Sequence, residues 1–390
     1  MKNFVLISNY LPDRQESMQR FSNMLYSGLR KNGHSTEIWR PPVFFGKYAK
    51  STISGIGKWL GYIDKYILFP IILKSRVNKA LSKSEDVIFH ICDHSLAPYL
   101  KYLPKDKTGI TCHDVLAIRG SMGYTDSASP ASFFGKYLQK WILANLKKAP
   151  VVACVSRFTL NQLNELSPLQ ENEKKTRKVI YNGFNAEFKP LSVSESEQIL
   201  SKINIGPNVP FLLHVGSDLP RKNRKLLIDL LVELGDSWNG QVCFAGKAID
   251  KSLMAYAVSK GMKERIIEVL KPDHLTLLAL YSSCYAFVFP SISEGFGWPV
   301  IEAQACGAPV IASSHEPMPE VSGGAALYAD PFDAPGFANA LCSLENQATR
   351  DQIVQAGINN SLKYHPDRMI TSYLNLYGLG NRIEVNTYAN

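Results

Sequence analysis

Among its 390 residues the chain has no Cys-x-x-Cys pair, no Asp-x-Asp, no Gly-x-Gly-x-x-Gly turn after its first apolar segment, and no repeated or low-complexity tract. Each absence removes a class of protein. Seven scattered cysteines (Cys92, Cys112, Cys154, Cys243, Cys284, Cys306, Cys342) argue against a disulfide framework or a zinc site. They read as buried free thiols in a reducing compartment. Without the glycine turn, a hydride-transferring Rossmann enzyme is disfavoured. Long apolar runs are missing too. The N-terminal Phe-Val-Leu-Ile is too short for a signal peptide and is expected to form a first strand, which points to the cytoplasm. The longest uncharged stretch, Leu275 to Ser293, is divided by Tyr281-Ser-Ser-Cys284 and closed by Pro290. A helix followed by a buried strand is expected there, not a membrane span.

What is present suits two α/β domains. Short apolar runs alternate with helical patterns, which implies parallel sheets covered by helices. Strands are expected near 3–9, 36–40, 87–92, 108–112, 151–155 and 178–182, then at 211–215, 242–245, 266–270, 285–290 and 310–312. The boundary is expected between Pro190 and Pro210, where serine, glycine and proline interrupt the pattern. That gives an N-terminal domain over 1–195 and a C-terminal domain over 205–365, both doubly wound and Rossmann-like. They are expected to face a central cleft, with ligands at the carboxyl ends of the strands.

Charge is divided unevenly. Residues 1–200 hold 28 Lys and Arg against 16 Asp and Glu, a balance of +12, whereas residues 201–390 hold 15 against 18, a balance of −3. A basic half suits an anionic membrane surface or a phosphorylated acceptor. Nucleic acid is not expected as a partner, because no nucleic-acid-binding motif accompanies the charge.

The most informative stretch is Ser293-Glu-Gly-Phe-Gly-Trp-Pro-Val-Ile-Glu-Ala303. An apolar strand leads into Glu294, then Gly295 and Gly297, which permit backbone conformations closed to other residues and let a ligand approach the main chain. Pro299 fits the first position of a following helix. Such a helix start offers unpaired N–H groups and the positive end of the macrodipole to a phosphate. Glu294 before the helix and Glu302 within it would be repelled by that phosphate unless they bind hydroxyls, as sugar and ribose rings supply. In a second loop, Gly216-Ser217-Asp-Leu-Pro-Arg221-Lys222-Asn223, adjacent cations near a helix start oppose the macrodipole, a conflict that an anionic ligand resolves.

The first of these strings, with Gly307-Ala-Pro-Val-Ile-Ala-Ser313 after it, resembles the retaining glycosyltransferases of family four, which share a GT-B fold and a Glu-x7-Glu motif. Trp298 departs from the smaller aliphatic more usual there. The Gly-Ser-x-x-Pro-Arg-Lys-Asn string is similar to the family's donor-phosphate loop, with Ser217 where an arginine often stands. Thr111-Cys-His113-Asp114 resembles the segment whose histidine contacts the transferred sugar. Asp114 is expected to fix its loop or the histidine tautomer rather than act as a base. Val155-Ser-Arg-Phe158 and Val179–Pro190 match further family strings, with Ser156 as a helix cap and Asn182-Gly183 as a turn.

The resemblance implies transfer of a hexose-type sugar from a UDP- or GDP-sugar to an acceptor hydroxyl, with retention and without a metal ion or other cofactor. Glu294, His113, Arg221 and Lys222 would carry the chemistry. Gly216, Ser217, Gly295, Phe296, Gly297, Val300, Ile301 and Glu302 would hold the donor. It also implies that a C-terminal helix, about 366–390, packs back on the N-terminal domain. Where relatives have a Gly-Gly pair, this chain has Ser8 to Met18, with Arg14, Gln15 and Ser17 as hydrogen-bond donors. A glycan or lipid-linked acceptor, in polysaccharide, lipopolysaccharide or glycolipid assembly, is the expected second substrate. A non-catalytic sugar-nucleotide-binding subunit of the same fold is the alternative, and its signature would be loss of Glu294, His113 or the Arg-Lys pair. All are present.

Residues 47–79 interleave lysines with Trp59, Tyr62, Tyr66 and several Ile and Leu. Two readings are open for them: a helix lying on an anionic membrane surface, which would make the protein peripheral, or a core-packing helix pair with solvated lysines.

Overall fold

The computed structural model describes residues 1–125, 132–169, 175–206 and 209–380. The chain divides into two compact units. The first holds Met1–Met122, residues 132–185 and the stretch from Pro366; the second holds Ala186–His365. The crossing therefore falls at Asn185, ahead of the expected 190–210. Its physical reason is a capping box. Ser192 Oγ accepts from the Glu195 N–H and the Glu195 carboxylate accepts from the Ser192 N–H, so the serine-rich stretch starts a helix, Val193–Ser201, instead of a linker.

The first unit is built on parallel strands β1 (Asn3–Ile7), β2 (Ser35–Trp39), β3 (Val87–Ile91), β4 (Thr108–Cys112), β5 (Val151–Cys154) and β6 (Thr176–Val179) in the order β2-β1-β3-β4-β5-β6. The second has β7 (Phe211–Gly216), β8 (Gln241–Gly246), β9 (Ile266–Leu270), β10 (Ala286–Phe289), β11 (Val310–Ser313) and β12 (Leu327–Ala329) in the order β12-β11-β10-β7-β8-β9. Each sheet is doubly wound. Strand interiors such as Val87–Ile91 and Ala286–Phe289 are buried along their whole length, as parallel sheets covered on both faces require. Leu275 to Ser293 forms a helix, His274–Ser283, and then β10. Among the described residues no helix is long and apolar enough to cross a membrane.

Two expectations need correction. Cys342 is exposed while the other six free thiols are buried, because it falls on the solvent side of the last turn of helix Ala334–Ser343. Asn182-Gly183 is not a turn. A Cβ on Gly183 would lie 2.8 Å from the Pro366 Cα, so the glycine serves a close backbone approach. Ser156 does cap helix Arg157–Leu166, accepting from the Thr159 N–H at 3.0 Å.

The helix Pro366–Leu376 packs into the first unit beside helix Glu16–Lys31. A Cβ on Gly28 would stand 2.3 Å from Ile370 Cγ1, and one on Gly109 the same distance from the Tyr377 hydroxyl. Polar contacts finish the junction. His90 bridges Tyr377 Oη at 2.5 Å and Thr111 Oγ1 at 2.8 Å, and the Tyr373 hydroxyl reaches Thr111 at 2.7 Å. Residues 381–390 of the expected C-terminal segment lie outside the described residues. Gly28→Val should destabilise the protein by about 1–3 kcal/mol through overpacking against Ile370. Urea unfolding checks this, and an unchanged midpoint would refute the close packing.

Candidate active site

β7 and β10 are neighbours, and the chain runs outward from them in opposite directions, through β8 and β9 on one side and β11 and β12 on the other. Loops leaving the carboxyl ends of two such strands diverge and open a binding crevice. After β7 the chain enters a 3-10 turn, Pro220–Lys222, and Asn223 at φ 53° redirects it into helix Lys225–Leu234. The Arg-Lys pair thus precedes the helix instead of opening it. Asn223 holds that left-handed position by donating from Nδ2 to the Pro331 and Pro290 carbonyls at 2.5 and 3.3 Å.

The loop after β10, Pro290 to Gly297, is tied to this turn. The Ile292 N–H donates to the Arg221 carbonyl at 2.8 Å, and Arg221 Nη1 donates to the Ser293 carbonyl at 3.0 Å. Glu294 completes the link. Its Oε2 lies 2.6 Å from Arg221 Nη1, and its Oε1 accepts from Lys222 Nζ at 2.5 Å. Glu294 and Lys222 are both buried, and the ammonium also sits 4.9 Å from the Phe289 ring centroid. Burial alone would push the Glu294 carboxyl up, but the Lys222 and Arg221 charges and hydrogen bonds outweigh it and hold it at about 2. Burial pulls Lys222 down, opposed by Glu294. Two cations share one carboxylate, which leaves the cluster electropositive.

Gly297, at φ 108°, starts helix Trp298–Ala305 with no side-chain cap. A Cβ there would lie 2.7 Å from Met318 Cε, so glycine is required twice over. Pro299 is second in the helix, one place later than expected. Val300 and Ile301 are fully buried and face the core, so any contact with a donor would come from their backbone N–H groups and not their side chains. Phe296 is buried as well, edge-on to Tyr364 at 5.7 Å. Glu302 is also buried, and its Oε2 accepts from the Tyr281 hydroxyl at 3.0 Å.

Gly216 ends β7 opposite Gly246 of β8, and a Cβ on Gly246 would meet the Gly216 carbonyl at 2.8 Å. Beneath this pair lies His214, which the motifs did not single out. Nδ1 is 3.2 Å from the Val288 carbonyl, and Nε2 is buried without a partner. Burial pushes the imidazole down to about 3, so it is neutral near pH 7. Nδ1–H then donates, and Nε2 is left as an acceptor. Ser291 Oγ, in the loop after β10, is buried without a partner too. The available signal was a polar residue inside the apolar run Phe211–Val215.

The first unit has its own switch point, between β1 and β3. Asn9, just past β1, donates from Nδ2 to Asp93, just past β3, and to Gln15 Oε1, both at 2.6 Å. Gln15 accepts through Oε1, which leaves its Nε2 as the group that can donate. Asp93 also accepts from the Ser95 N–H and hydroxyl at 3.0 and 2.8 Å. Burial would raise its carboxyl, but His94, His113 and these hydrogen bonds hold it low. His113, at the end of β4, places Nε2 2.9 Å from the Cys92 carbonyl and its ring edge-on to Phe21 at 4.5 Å. That contact makes Nε2 the protonated nitrogen, so Cys92 and not Asp114 sets the tautomer. Asp114 Oδ1 instead accepts from the Leu116 N–H at 3.0 Å and fixes the loop.

The depressed histidine gives a pH signature. An unfolded imidazole takes up a proton below about 6.5, whereas folded His214 does so only near 3, so stability is complete above 6.5 and falls as pH drops from there. Glu294, depressed from 4.5 to about 2, adds a further loss between those values. Urea titrations should show that His214→Gln loses less stability than wild type between pH 6.5 and 4.5. Equal losses would exclude a neutral, buried His214.

Residues 195–360 match the family model "Glycosyl transferases group 1". Among curated proteins the chain is 28% identical to O-antigen chain mannosyltransferase B of Escherichia coli over 63% of its own length and 64% of that protein's. It is 26% identical to O-antigen chain mannosyltransferase RfbU of Salmonella typhimurium over 68% of its length and 72% of that protein's. Sucrose-phosphate synthase from Thermosynechococcus elongatus superposes with a TM-score of 0.73 at 18% identity, covering 97% of this chain and 98% of that one. Anabaena Alr3699/HepE, solved with UDP, does so at 0.68 and 16% identity, covering 97% and 100%. The chain thus has the GT-B fold, and its second unit carries the segment that matches glycosyl transferases group 1.

Proposed function

We propose that the protein is a retaining, metal-independent glycosyltransferase that moves a hexose-type sugar from a UDP- or GDP-sugar to the hydroxyl of a glycan or lipid-linked acceptor. The observation that carries this reading is the Glu294 carboxylate clamped between Arg221 and Lys222 at the switch point of the second sheet. A diphosphate is the anion such a cluster suits. It needs two nearby cations and an uncapped helix start, and both stand here beside the half-buried Gly216 and Gly297. The names of the relatives support a mannosyl donor and a role in lipopolysaccharide or other polysaccharide assembly.

In the reaction the bond from the anomeric carbon to the phosphate oxygen breaks, and a bond to the acceptor oxygen forms on the same face. The acceptor proton passes to the leaving phosphate, so no separate protein base is required. Arg221, Lys222 and the N–H groups at the start of helix Trp298–Ala305 stabilise charge growing on the leaving oxygens. Glu294 orients sugar hydroxyls, and the two cations keep it ionised for that task. Glu302, oriented by Tyr281, holds the ribose. Within the first unit, His113 keeps Nδ1 available to accept from a hydroxyl, because Nε2 is engaged by Cys92.

Glu294→Gln should lower the transfer rate by about 100-fold or more while circular dichroism stays native. Undiminished turnover with a nucleotide sugar that binds would sink the assignment. Joint replacement of Arg221 and Lys222 by Ala should weaken binding of the nucleoside diphosphate by about tenfold or more, read by calorimetry. GDP-mannose is the first donor to test, and the anomeric configuration of the product, read by NMR, decides retention.

A further inference from the structure

Residues 47–83 do not resolve into either of the two simple readings. One face is core: Phe69, Leu73 and Val77 are buried on helix Phe69–Lys83. The other is not. Ile56, Trp59, Ile67 and Ile71 are each more than half exposed, although Ile56 and Trp59 sit one helical turn apart, as do Ile67 and Ile71. A second element joins them. Helix Phe133–Leu146 buries Ile142, Leu143 and Leu146 but exposes Phe133, Tyr137 and Trp141, spaced four apart along one side, with Phe134 beside them.

The two exposed faces are continuous. The Trp59 ring meets Phe134 at 5.8 Å and Tyr62 at 5.7 Å, Tyr62 meets Tyr66 at 5.5 Å, and Tyr66 meets Trp141 at 5.3 Å. Phe133 meets Phe134 and Tyr137 at 5.6 and 5.1 Å. Solvent-facing aromatic surface of this extent marks an interaction site. Its charge is one-sided. Segments 47–83 and 133–148 contain a single acid, Asp64, and that residue is buried against the N–H groups of Phe44, Phe45 and Gly46. Lysines on the same helices, among them Lys74, Lys136 and Lys140, are exposed, as is Lys147 at the end of the last.

We infer that this face, built from helices Gly55–Ile63, Phe69–Lys83 and Phe133–Leu146, docks on an anionic lipid bilayer, with Trp59, Phe133, Phe134 and Trp141 entering the interface and the lysines meeting the headgroups. Aromatic rings with one apolar body and one polar edge suit the boundary between acyl chains and headgroups, and each nearby lysine adds attraction to anionic lipid. A protein partner with a complementary groove would need acids to match the lysines and cavities to match several rings. A fluid surface of anionic headgroups supplies both without a specific shape. The inference is independent of the sugar-transfer reading, since none of these residues belongs to the site around Glu294.

The test is co-sedimentation of the full chain with vesicles of phosphatidylcholine alone or with added phosphatidylglycerol. The chain should bind the anionic vesicles and not the neutral ones, with the fluorescence of Trp59 and Trp141 quenched by brominated acyl chains. The variant carrying Trp59→Ser, Phe133→Ser, Phe134→Ser and Trp141→Ser should bind about tenfold or more weakly while keeping its melting temperature and its nucleotide affinity. Binding unaffected by those four changes, no quenching, or no anionic preference would overturn the inference. So would a wild-type dimer in solution that the same variant dissolves, because the face would then be covered by a second copy.

Discussion

The second unit is organised around one buried ionic contact. Glu294, Arg221 and Lys222 come from loops that follow β10 and β7, which pair in parallel and bring the loops side by side, while the contacts between the loops fix their geometry. Burying the Glu294 and Lys222 charges is costly, on the order of several kcal/mol for each ion before pairing, and Arg221 meets them from a half-buried position. The loops must therefore hold a geometry in which every charge is met, and the Ile292 to Arg221 and Arg221 to Ser293 hydrogen bonds fix it through the backbone. The low Glu294 carboxyl reports the same balance from the other side: two cations within hydrogen-bonding distance outweigh complete burial. A carboxylate that cannot readily take up a proton is poorly suited to shuttle one. It is well suited to accept hydrogen bonds from hydroxyls, which is the role assigned to it.

Around that contact the fold supplies unpaired polar atoms and open backbone. His214 Nε2 and Ser291 Oγ are buried without partners in the same region where Gly216 and Gly297 deny space to side chains. Unmet buried polar atoms normally cost stability, and these two, among several such atoms in the described residues, belong to the strand and the loop that border the Glu294 cluster. The first unit repeats the plan with a different chemistry. Its switch point carries Asn9 and Asp93, hydrogen-bonded to each other, next to a histidine whose tautomer is set by a main-chain carbonyl.

Much of this was legible from the order of residues. Buried strands announce themselves as short apolar runs, and eleven of the twelve strands overlap an expected segment, although β6, Thr-Arg-Lys-Val, is no apolar run and shares only residues 178–179 with the expected 178–182. The exception, β12, is only Leu-Tyr-Ala, held by pairing to β11 and too short to leave a pattern. The glycine loop and the Arg-Lys turn were legible because glycine and adjacent like charges are constrained in few ways. The Glu294 contact was not, since residues 72 apart in sequence carry no mutual signal in a single chain. The domain crossing was misplaced because Ser-rich text resembles a linker until Ser192 and Glu195 are recognised as a reciprocal cap. Gly183 shows the same limit, as Asn-Gly spells a turn locally and only the presence of Pro366 explains the glycine.

The surplus of basic residues in the first half of the sequence divides by burial into two physical kinds. Lys65 is buried and paired with Asp13 at 2.7 Å, so it belongs to the interior and answers to local geometry, as Lys222 does in the second unit. Among the described residues, the lysines around Trp59 and Trp141 show no such ion pair. Exposed charges more than about 8 Å apart are screened at physiological ionic strength, whereas buried pairs are screened far less. Salt should therefore act unequally on one molecule, weakening whatever the exposed lysines attract while leaving the Glu294 cluster nearly untouched. Apolar contact does not follow the same rule, and the rings between those lysines give the exposed face an attraction that persists once the bilayer is reached. On the proposed docking, charge would govern approach and aromatic burial would govern residence, two tasks that lysines and rings on the same helices divide between them.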